Sequence, residues 1–218
     1  MHTVNLAGTE KPYRVGKIVC LGRNYGEHIR ELGNEVPEQP ILFLKPATSL
    51  VEDGGTVVIP SYSGDCHHEV ELAVLIGNGG RDIAETDAMA HVAGYGVAID
   101  MTLRDVQAEQ KSKGLPWEIA KAFDTSCPLS GFVPAAAVAD PHALRLTLAV
   151  NGEPRQDGTT AAMMRRIPQI IAEVSAIFTL EEGDVLLTGT PAGVGRVVAG
   201  DVMTAEIEQV GHLEVAVR

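Results

Sequence analysis

Short apolar runs separated by turn-forming residues dominate the hydrophobic pattern of the chain, and this pattern favours strands. The run 144–150 ends at Asn151-Gly152, a dipeptide typical of the tight turn in a β-hairpin. Strands are predicted at residues 17–21, 41–44, 56–59, 68–76, 93–100, 144–150, 185–188, 202–207 and near 213–217. The fold class is therefore predicted to be mixed α+β and predominantly β.

Helical periodicity is confined to fewer segments. Ile, Val and Phe side chains recur at intervals of three and four between residues 167 and 178, and Pro168 stands in the first turn, where proline is tolerated. The apolar face of this helix is predicted to belong to the core. Polar, helix-favouring residues predict a second helix over 103–113, and a short helix is expected over about 25–32.

A polar segment, residues 33–40, separates the short helix from the next strand and contains Pro37 and Pro40. Polar segments interrupted by proline serve as mobile lids over active sites, and they also serve as plain surface connections. Both interpretations stay open from the residues alone. If the segment is a lid, we expect the lid to span about residues 26–40.

Composition fits an ordinary globular protein, with 45% hydrophobic and 21% charged residues among 218. We expect one catalytic domain over residues 1–218, in which residues 1–15 form a short N-terminal segment. The formal net charge of −12 opposes binding to nucleic acid, because that binding depends on clustered Lys and Arg. An anionic small molecule is not excluded, since a local cation or a metal ion can dominate the field in a pocket.

The cysteines and the apolar runs bear on location. Cys20, Cys66 and Cys127 are far apart and lack a Cys-x-x-Cys spacing, which argues against a disulfide framework or a structural zinc site. No segment has the length of a membrane span, and the first residues do not have the pattern of a secretion signal. A cytoplasmic protein without a membrane partner is expected.

Two acidic residues interrupt an otherwise apolar strand. Glu69 and Glu71 are two apart, so the period of a strand places both carboxylates on one face. Like charges this close repel unless an ion or a proton neutralises them, and an exposed edge strand is the alternative interpretation. Asp100 follows the apolar run 92–99 and adds a third possible ligand. Three carboxylates favour a hard ion such as Mg²⁺ or Mn²⁺, with Ca²⁺ as a substitute in crystals, over zinc.

Several motifs in a fixed order resemble the fumarylacetoacetate hydrolase family from about residue 16 to the C terminus, most closely its small, single-domain acylpyruvase-like branch. The motifs are Gly22-Arg23-Asn24-Tyr25, Phe43-Leu44-Lys45-Pro46, His68-Glu69-Val70-Glu71-Leu72, Asp100-Met101-Thr102-Leu103-Arg104-Asp105-Val106-Gln107, Lys111-Ser112-Lys113-Gly114-Leu115-Pro116-Trp117, Ala120-Lys121-Ala122-Phe123-Asp124 and Leu187-Thr188-Gly189-Thr190-Pro191. The resemblance implies a mixed β-sandwich roll with short peripheral helices. It also implies a homodimer and a divalent ion held by Glu69, Glu71 and Asp100.

The same resemblance implies a catalytic pair, His28 and Glu31. Their spacing of three places both on one face of a helix, where the carboxylate orients the imidazole as a general base. From the residues alone, a solvent-exposed His and Glu on a polar helix is the alternative. The larger liver-type members have an additional N-terminal domain and a fourth metal-binding carboxylate, and neither is evident in this sequence.

Further site residues are implied only by their positions in the motifs. Lys121 is expected to stabilise a developing oxyanion, although a solvated helix lysine is the alternative. The residues expected to contact substrate are Arg23, Lys45, Arg104, Gln107 and Thr190. For Arg104 an ion pair with a surface acid is the alternative. The glycine-rich segment 189–195 lacks the Gly-Lys-Ser/Thr ending of a phosphate loop, so close backbone approach to a ligand is expected there.

The leading expectation for function is metal-dependent hydrolysis of a C–C bond in an acylpyruvate, such as acetylpyruvate, fumarylpyruvate or a fumarylacetoacetate-like substrate, as in aromatic catabolism. His28 would activate the attacking water. Decarboxylation of oxaloacetate is one alternative, and isomerisation or decarboxylation of a 2-hydroxymuconate-type diacid is another. A metal-binding protein that has lost its activity is a third, non-enzymatic alternative.

Overall fold

The computed structural model describes residues 2–10 and 12–218, and most of the regular structure in it is β. Its strands are β1 (Thr3–Val4), β2 (Tyr13–Arg14), β3 (Lys17–Gly22), β4 (Ile41–Pro46), β5 (Leu50–Val51), β6 (Thr56–Val57), β7 (Cys66–His68), β8 (Val70–Ile76), β9 (Val92–Ile99), β10 (Thr102–Leu103), β11 (Cys127–Pro128), β12 (Val133–Pro134), β13 (Arg145–Val150), β14 (Glu153–Thr159), β15 (Val185–Leu187), β16 (Gly195–Val197), β17 (Val202–Ile207) and β18 (Gly211–Val217). The α-helices are α1 (Gly26–Glu31), α2 (Arg104–Lys113), α3 (Glu118–Lys121) and α4 (Ile167–Ile177).

Two large sheets pack face to face. One has six strands in the order β12-β9-β8-β15-β3-β4, and the other has five in the order β14-β13-β17-β18-β6. Strands β13, β17 and β18 of the second sheet contact β8 and β9 of the first. The predicted class, a mixed α+β and predominantly β sandwich roll with short peripheral helices, is confirmed.

The six-stranded sheet is buried on both faces because its strands present apolar side chains on both sides. Alternate residues of β8, such as Leu72 and Val74, face the five-stranded sheet, where Leu148 also lies. Ala73 and Leu75 belong to a second core on the opposite face. Strands that are buried on both faces read as nearly continuous apolar runs, which explains why β8 and β9 were readily predicted.

The hairpin between β13 and β14 has the turn that its sequence predicts. Asn151 and Gly152 both have positive φ, 53° and 78°, as the tight turn requires. The predicted helix over residues 167–178 is α4, with Pro168 in its first turn. It packs against a 3₁₀ turn at Ala88–His91. No helix of the described residues is long and apolar enough to cross a membrane.

The predicted strand over residues 68–76 is wrong in one respect, because it is broken at Glu69. Residues before the break form β7, which pairs with β10 and β16 in a separate small sheet. The backbone N–H of Val70 donates to Gln156 Oε1 at 3.0 Å, so a side-chain oxygen takes the place of a backbone acceptor from a neighbouring strand. Glu69 thus leaves the regular ladder, and the chain changes sheets at this residue.

Candidate active site

Four chain segments meet at one end of the six-stranded sheet. Strands β3 and β15 are parallel and both end there, as the pairing of Leu187 with Cys20 shows. Strand β8 is antiparallel to β15 and begins at the same end, and its antiparallel partner β9 ends beside it, with Val70 opposite Ile99. The residues that follow β3, β9 and β15 therefore lie beside the residues that precede β8.

Three carboxylates are buried together at this end. Glu69, Glu71 and Asp100 are 5%, 2% and 1% exposed, which excludes the exposed edge strand as an explanation for them. One ligand oxygen from each lies within 4.8 Å of the others. The backbone N–H of Asp100 donates to the carbonyl oxygen of Glu69 at 2.8 Å, which fixes the two chain segments side by side.

The electrostatics of this acidic triad are strongly asymmetric. Burial raises the pKa of Glu71 well above its ordinary value, and the carboxylates of Asp100 and Glu69 raise it further. Burial also disfavours the charge of Glu69, but Lys121 and Arg104 outweigh it and hold the pKa of Glu69 well below its ordinary range. Positive charge is therefore concentrated on the Glu69 side, and Glu71 is the carboxylate that most lacks it.

Lys121 is a member of the cluster itself. Its Nζ lies 2.8 Å from Glu69 Oε2 and 2.5 Å from Asp100 Oδ2, and 4.9 Å from the centre of the Phe43 ring. Burial lowers the pKa of this ammonium, but Asp100 and Glu69 more than offset the effect and raise it to about 12. The alternative of a solvated helix lysine is thereby excluded, and Lys121 lies among the acids of the triad.

The triad fits a hard divalent cation. All of its donor atoms are oxygen, the ligand type that Mg²⁺ and Mn²⁺ prefer. Asp100 Oδ1 is buried without a hydrogen-bond donor in good geometry, although the Lys45 ammonium lies 2.8 Å away. Glu71 Oε2 accepts from the backbone N–H of Gly189 at 2.6 Å, which orients that carboxylate. An ion bound here would neutralise the charge that the buried acids share.

The His28 and Glu31 side chains are joined as their spacing predicts. His28 Nδ1 lies 3.1 Å from Glu31 Oε2, and the imidazole is buried. The other oxygen of Glu31 accepts from the backbone N–H of Gly193 at 3.0 Å. Because Nδ1 faces the carboxylate, Nε2 is left as the nitrogen that can accept a proton.

The three acids of the triad and His28 line one cleft, and Glu31 is bonded to His28. Arg104, Gln107 and Thr190 line it, as does Arg23, which adopts a left-handed φ of 58° in the turn between β3 and α1. Arg104 donates to Gln107 Oε1 at 2.9 Å and is also bonded to Glu69, so its ion pair is with the site and not with a surface acid. Positive charge thus lies along one wall of the cleft.

Lys45 differs from the expectation of a substrate contact, since it is not among the residues that line the cleft. Its fully buried ammonium donates to the carbonyl oxygens of Met101 at 3.2 Å, Ser126 at 3.0 Å and Lys121. It also lies 2.8 Å from Asp100. Backbone carbonyls gathered around one ammonium hold Asp100 and α3 in register, so Lys45 acts as a positioning residue.

Asn24 and Gln156 support the site and were not singled out from the sequence. Asn24 Nδ2 donates to the carbonyl oxygens of Thr188 and Arg165, at 2.8 and 3.0 Å, and its Oδ1 accepts from the Arg165 N–H. Asn24 stands in the Gly22–Tyr25 motif, which is the signal that could have revealed it. Gln156 lies in a strand of mostly exposed residues and gave no such signal.

The glycine-rich segment after β15 approaches the acids of the site closely. The backbone N–H groups of Gly189 and Gly193 donate to Glu71 and Glu31, respectively. Thr190 Oγ1 accepts from Gln156 Nε2 at 2.8 Å. The segment therefore positions one acid of the triad, Glu71, and the acid that is bonded to His28, Glu31, a role beyond the ligand contact expected from its glycines.

Residues between α1 and β4 form neither helix nor strand in the structure, and two hydrogen bonds tie them to the body of the protein. Asn34 Oδ1 accepts from Lys111 Nζ at 3.0 Å, and the carbonyl oxygen of Glu38 accepts from Arg165 Nη2 at 2.8 Å. Asn34 and Leu32 line the cleft. A lid over residues 26–40 stays a prediction, now with two identified contacts that closure or opening would affect.

A buried triad of oxygen donors beside a histidine–carboxylate pair is compatible with a metal-assisted enzyme that moves protons. Residues 17–218 match the family model described as fumarylacetoacetate (FAA) hydrolase, C-terminal. The chain belongs to this family, and the resemblance of its ordered motifs is confirmed.

Curated relatives of the chain are enzymes, and so is this protein. An oxaloacetate tautomerase of Escherichia coli (strain K12) is 54% identical over 209 residues, which cover 95% of this chain and 94% of the relative. The mitochondrial oxaloacetate tautomerase of Mus musculus is 53% identical over 201 residues, which cover 92% and 91%, respectively. Because these relatives are named for oxaloacetate, they support the alternative expectation, decarboxylation of oxaloacetate, better than the leading expectation of acylpyruvate hydrolysis. Tautomerisation was not among the expectations from the sequence.

A solved structure gives a second comparison. The fumarylpyruvate hydrolase of Pseudomonas aeruginosa, in complex with Mn²⁺ and pyruvate, superposes with a TM-score of 0.94 at 38% identity. The match covers 99% of this chain and 94% of that chain. A protein of this fold therefore holds a divalent ion, in agreement with the oxygen donors of the acidic triad.

Proposed function

We propose that this enzyme interconverts the enol and keto forms of oxaloacetate with the help of a divalent ion, Mg²⁺ in the first instance. The observation that carries the proposal is that His28, which is bonded to Glu31, lines the same cleft as the buried triad and the cations of Arg23 and Arg104. Tautomerisation needs one group that removes and returns a proton, together with positive charge near the oxygens of the substrate. The relatives named above support oxaloacetate as the substrate.

Glu69, Glu71 and Asp100 would hold the ion. When bound, a divalent ion stabilises negative charge that develops on substrate oxygens. The remaining chemistry belongs to side chains of the chain. Glu31 keeps the proton of the imidazole on Nδ1, so His28 Nε2 is free to take a proton from carbon 3 of the keto form and to return one there in the reverse direction.

The proton balance of the reaction is closed within the substrate and the pair. In the direction of the keto form, His28 Nε2 takes the proton of the enol oxygen and gives a proton to carbon 3. The C2–O bond becomes double as the C2–C3 double bond becomes single. The net reaction needs no water and no redox partner. Arg104, which is bonded to Gln107 in the cleft wall, supplies positive charge beside the triad.

The direct test follows the ultraviolet absorbance of the oxaloacetate enol, which is stronger than that of the keto form because its double bond is conjugated. We expect purified protein with Mg²⁺ to accelerate loss of the enol signal. The variant His28→Ala should lose about 10²- to 10⁴-fold of this acceleration and still bind Mg²⁺ by calorimetry, since the triad is intact.

His212→Ala is the matched control, because His212 lies exposed on β18 in the other sheet. It should leave the rate unchanged. Absence of any acceleration by the wild-type protein, or full activity in His28→Ala, would contradict the proposal.

Hydrolysis of an acylpyruvate is the second candidate, favoured by the structural likeness to a fumarylpyruvate hydrolase. In that reaction His28 would take a proton from water, which then attacks the distal acyl carbon, and a carboxylic acid and pyruvate would be released. Incubation with acetylpyruvate and fumarylpyruvate separates the two functions. Pyruvate release at a rate above that of oxaloacetate tautomerisation would make hydrolysis the main activity.

Decarboxylation of oxaloacetate needs no attacking water and no proton removal from carbon 3, so it should survive in His28→Ala if it occurs. Decarboxylation is detected by measuring the release of CO₂ in the same reaction as the enol absorbance. A shifted double bond in a muconate-type diacid would identify an isomerase. Binding of Mg²⁺ without turnover of any of these compounds would instead identify a metal-binding protein without activity.

We also propose that the protein is a homodimer and is located in the cytoplasm, as the sequence predicts. Light scattering of the purified protein tests the first: a mass of about twice 23.1 kDa is expected. Fractionation of cells that express the protein tests the second.

A further inference from the structure

One face of α2 extends from the acidic triad toward the mouth of the cleft. Arg104, Gln107 and Lys111 are spaced by three and four residues, so they share this face of the helix, and all three line the cleft. Arg104 is bonded to Glu69 in the triad, and Gln107 is bonded to Arg104. Lys111 lies about one further turn, roughly 6 Å, beyond Gln107 along the helix.

The ammonium of Lys111 has no acidic partner among the residues that the structure describes. Its Nζ donates to the neutral amide oxygen of Asn34 at 3.0 Å. Burial lowers the pKa of Lys111, and the nearby positive charges of Arg23 and Arg104 lower it further. Arg23 likewise forms no ion pair within the described part of the chain. Two cations thus face the cleft without a counter-charge.

Lys113 on the same helix differs from Lys111, because it has an acidic partner. Lys113 Nζ lies 2.5 Å from Glu109 Oε1, four residues before it, and both side chains are more than half exposed. This is the usual arrangement of a surface lysine in an acidic protein. In a chain of net charge −12, two cations that line the same cleft without an acidic partner are available to bind an anion.

We propose that Lys111, with Arg23 beside it, determines specificity for dicarboxylates by binding the distal carboxylate of a 2-oxo diacid. The inference rests on the proposed function, since it takes the 2-oxo acid end of the substrate to lie at the triad. A monocarboxylate with the same 2-oxo acid end lacks the distal carboxylate that would bind these cations. The site therefore selects a diacid such as oxaloacetate over a monoacid such as pyruvate.

The test compares binding of oxaloacetate and pyruvate, which differ by the distal carboxylate. Trp117 lines the cleft and is the single tryptophan of the chain, so its fluorescence reports binding within seconds of mixing. In the presence of Mg²⁺, Lys111→Met should weaken oxaloacetate binding by about tenfold or more, and pyruvate binding should be unchanged. Lys111→Arg should retain most of the selectivity, and Lys113→Met is the matched control that should retain all of it.

A second variant separates charge from loop anchoring. Asn34→Ala removes the hydrogen bond between the loop and Lys111 but keeps the ammonium, so it should keep the preference for the diacid. The inference is overturned if Lys111→Met weakens both ligands equally or neither, or if Asn34→Ala reproduces its selective loss. Selective binding without any tautomerisation would instead reject the proposed function and support the recognition of diacids.

Discussion

The burial of the acidic triad depends on single polar side chains that satisfy the hydrogen-bonding groups around it. Gln156 is the clearest case: its Oε1 accepts from the Val70 N–H and lies 3.0 Å from His68 Nδ1, and its Nε2 donates to Thr190 and Pro191. One amide thus satisfies groups from β7, β8 and the segment after β15. Buried polar groups left without such partners destabilise the fold.

Replacement of Gln156 by alanine should lower the free energy of unfolding by about 2 to 4 kcal/mol, because several buried polar groups lose their partner together. Urea unfolding followed by circular dichroism measures the change. Gln169→Ala is the matched control, since Gln169 is only partly buried in α4 and bonds to Glu173 alone. A loss no larger than that of the control would show that Gln156 is dispensable for stability.

At the scale of elements, the turns after β3 and β15 lie against each other at the end of the six-stranded sheet, and their contact positions the acids of the site. Gly189 has a φ of +92°, and a methyl group added to it would lie 2.8 Å from Cβ of Asn24. The left-handed backbone lets its N–H reach Glu71. A glycine is required here both for its φ and for the close approach of the two turns.

Gly189→Ala is accordingly expected to destabilise the protein and to weaken Mg²⁺ binding. Gly200→Ala is the matched control, because Gly200 has a similar φ of +98° but nothing within 4 Å of the added methyl. The control carries only backbone strain, about 1 to 3 kcal/mol, while Gly189→Ala adds a steric term of about 1 to 3 kcal/mol. Thermal unfolding and calorimetry measure the two effects, and equal results for both variants would reject the close approach as the cause.

At the scale of the whole molecule, the sandwich places three acids where water cannot screen them. Their repulsion opposes folding, and an ion that binds only the folded state relieves it. The stability of the protein should therefore depend on divalent ions even though the apolar core between the two sheets is extensive.

Addition of Mg²⁺ at about 100 times its dissociation constant should stabilise the fold by about 2.7 kcal/mol, equivalent to a rise of roughly 5 to 10 °C in Tm. Chelation with EDTA should reverse the rise. Glu71→Gln should abolish it, and Glu214→Gln, at an exposed position on β18, should leave it intact. A Tm that does not respond to Mg²⁺ in the wild-type protein would speak against an ion at the triad.

Much of this protein follows from local patterns. The apolar periodicity of β8, β9 and α4 and the turn chemistry of Asn151-Gly152 predicted their elements, because each depends on neighbouring residues only. The spacing of Glu69 and Glu71 and the ordered motifs indicated an ion site and a family. The spacing of His28 and Glu31 predicted their contact, which one turn of helix suffices to make.

Tertiary structure decided everything that depends on segments far apart in the chain. Only the shared end of the sheet brings Asp100 to Glu69 and places Lys121 among the acids, and only folding shows that Lys45 bonds to backbone carbonyls and does not line the cleft. The role proposed for Lys111 in binding a distal carboxylate likewise depends on its position at the cleft, which only the folded chain shows. Charge pairing and burial depend on distance in space, which the order of residues along the chain does not specify.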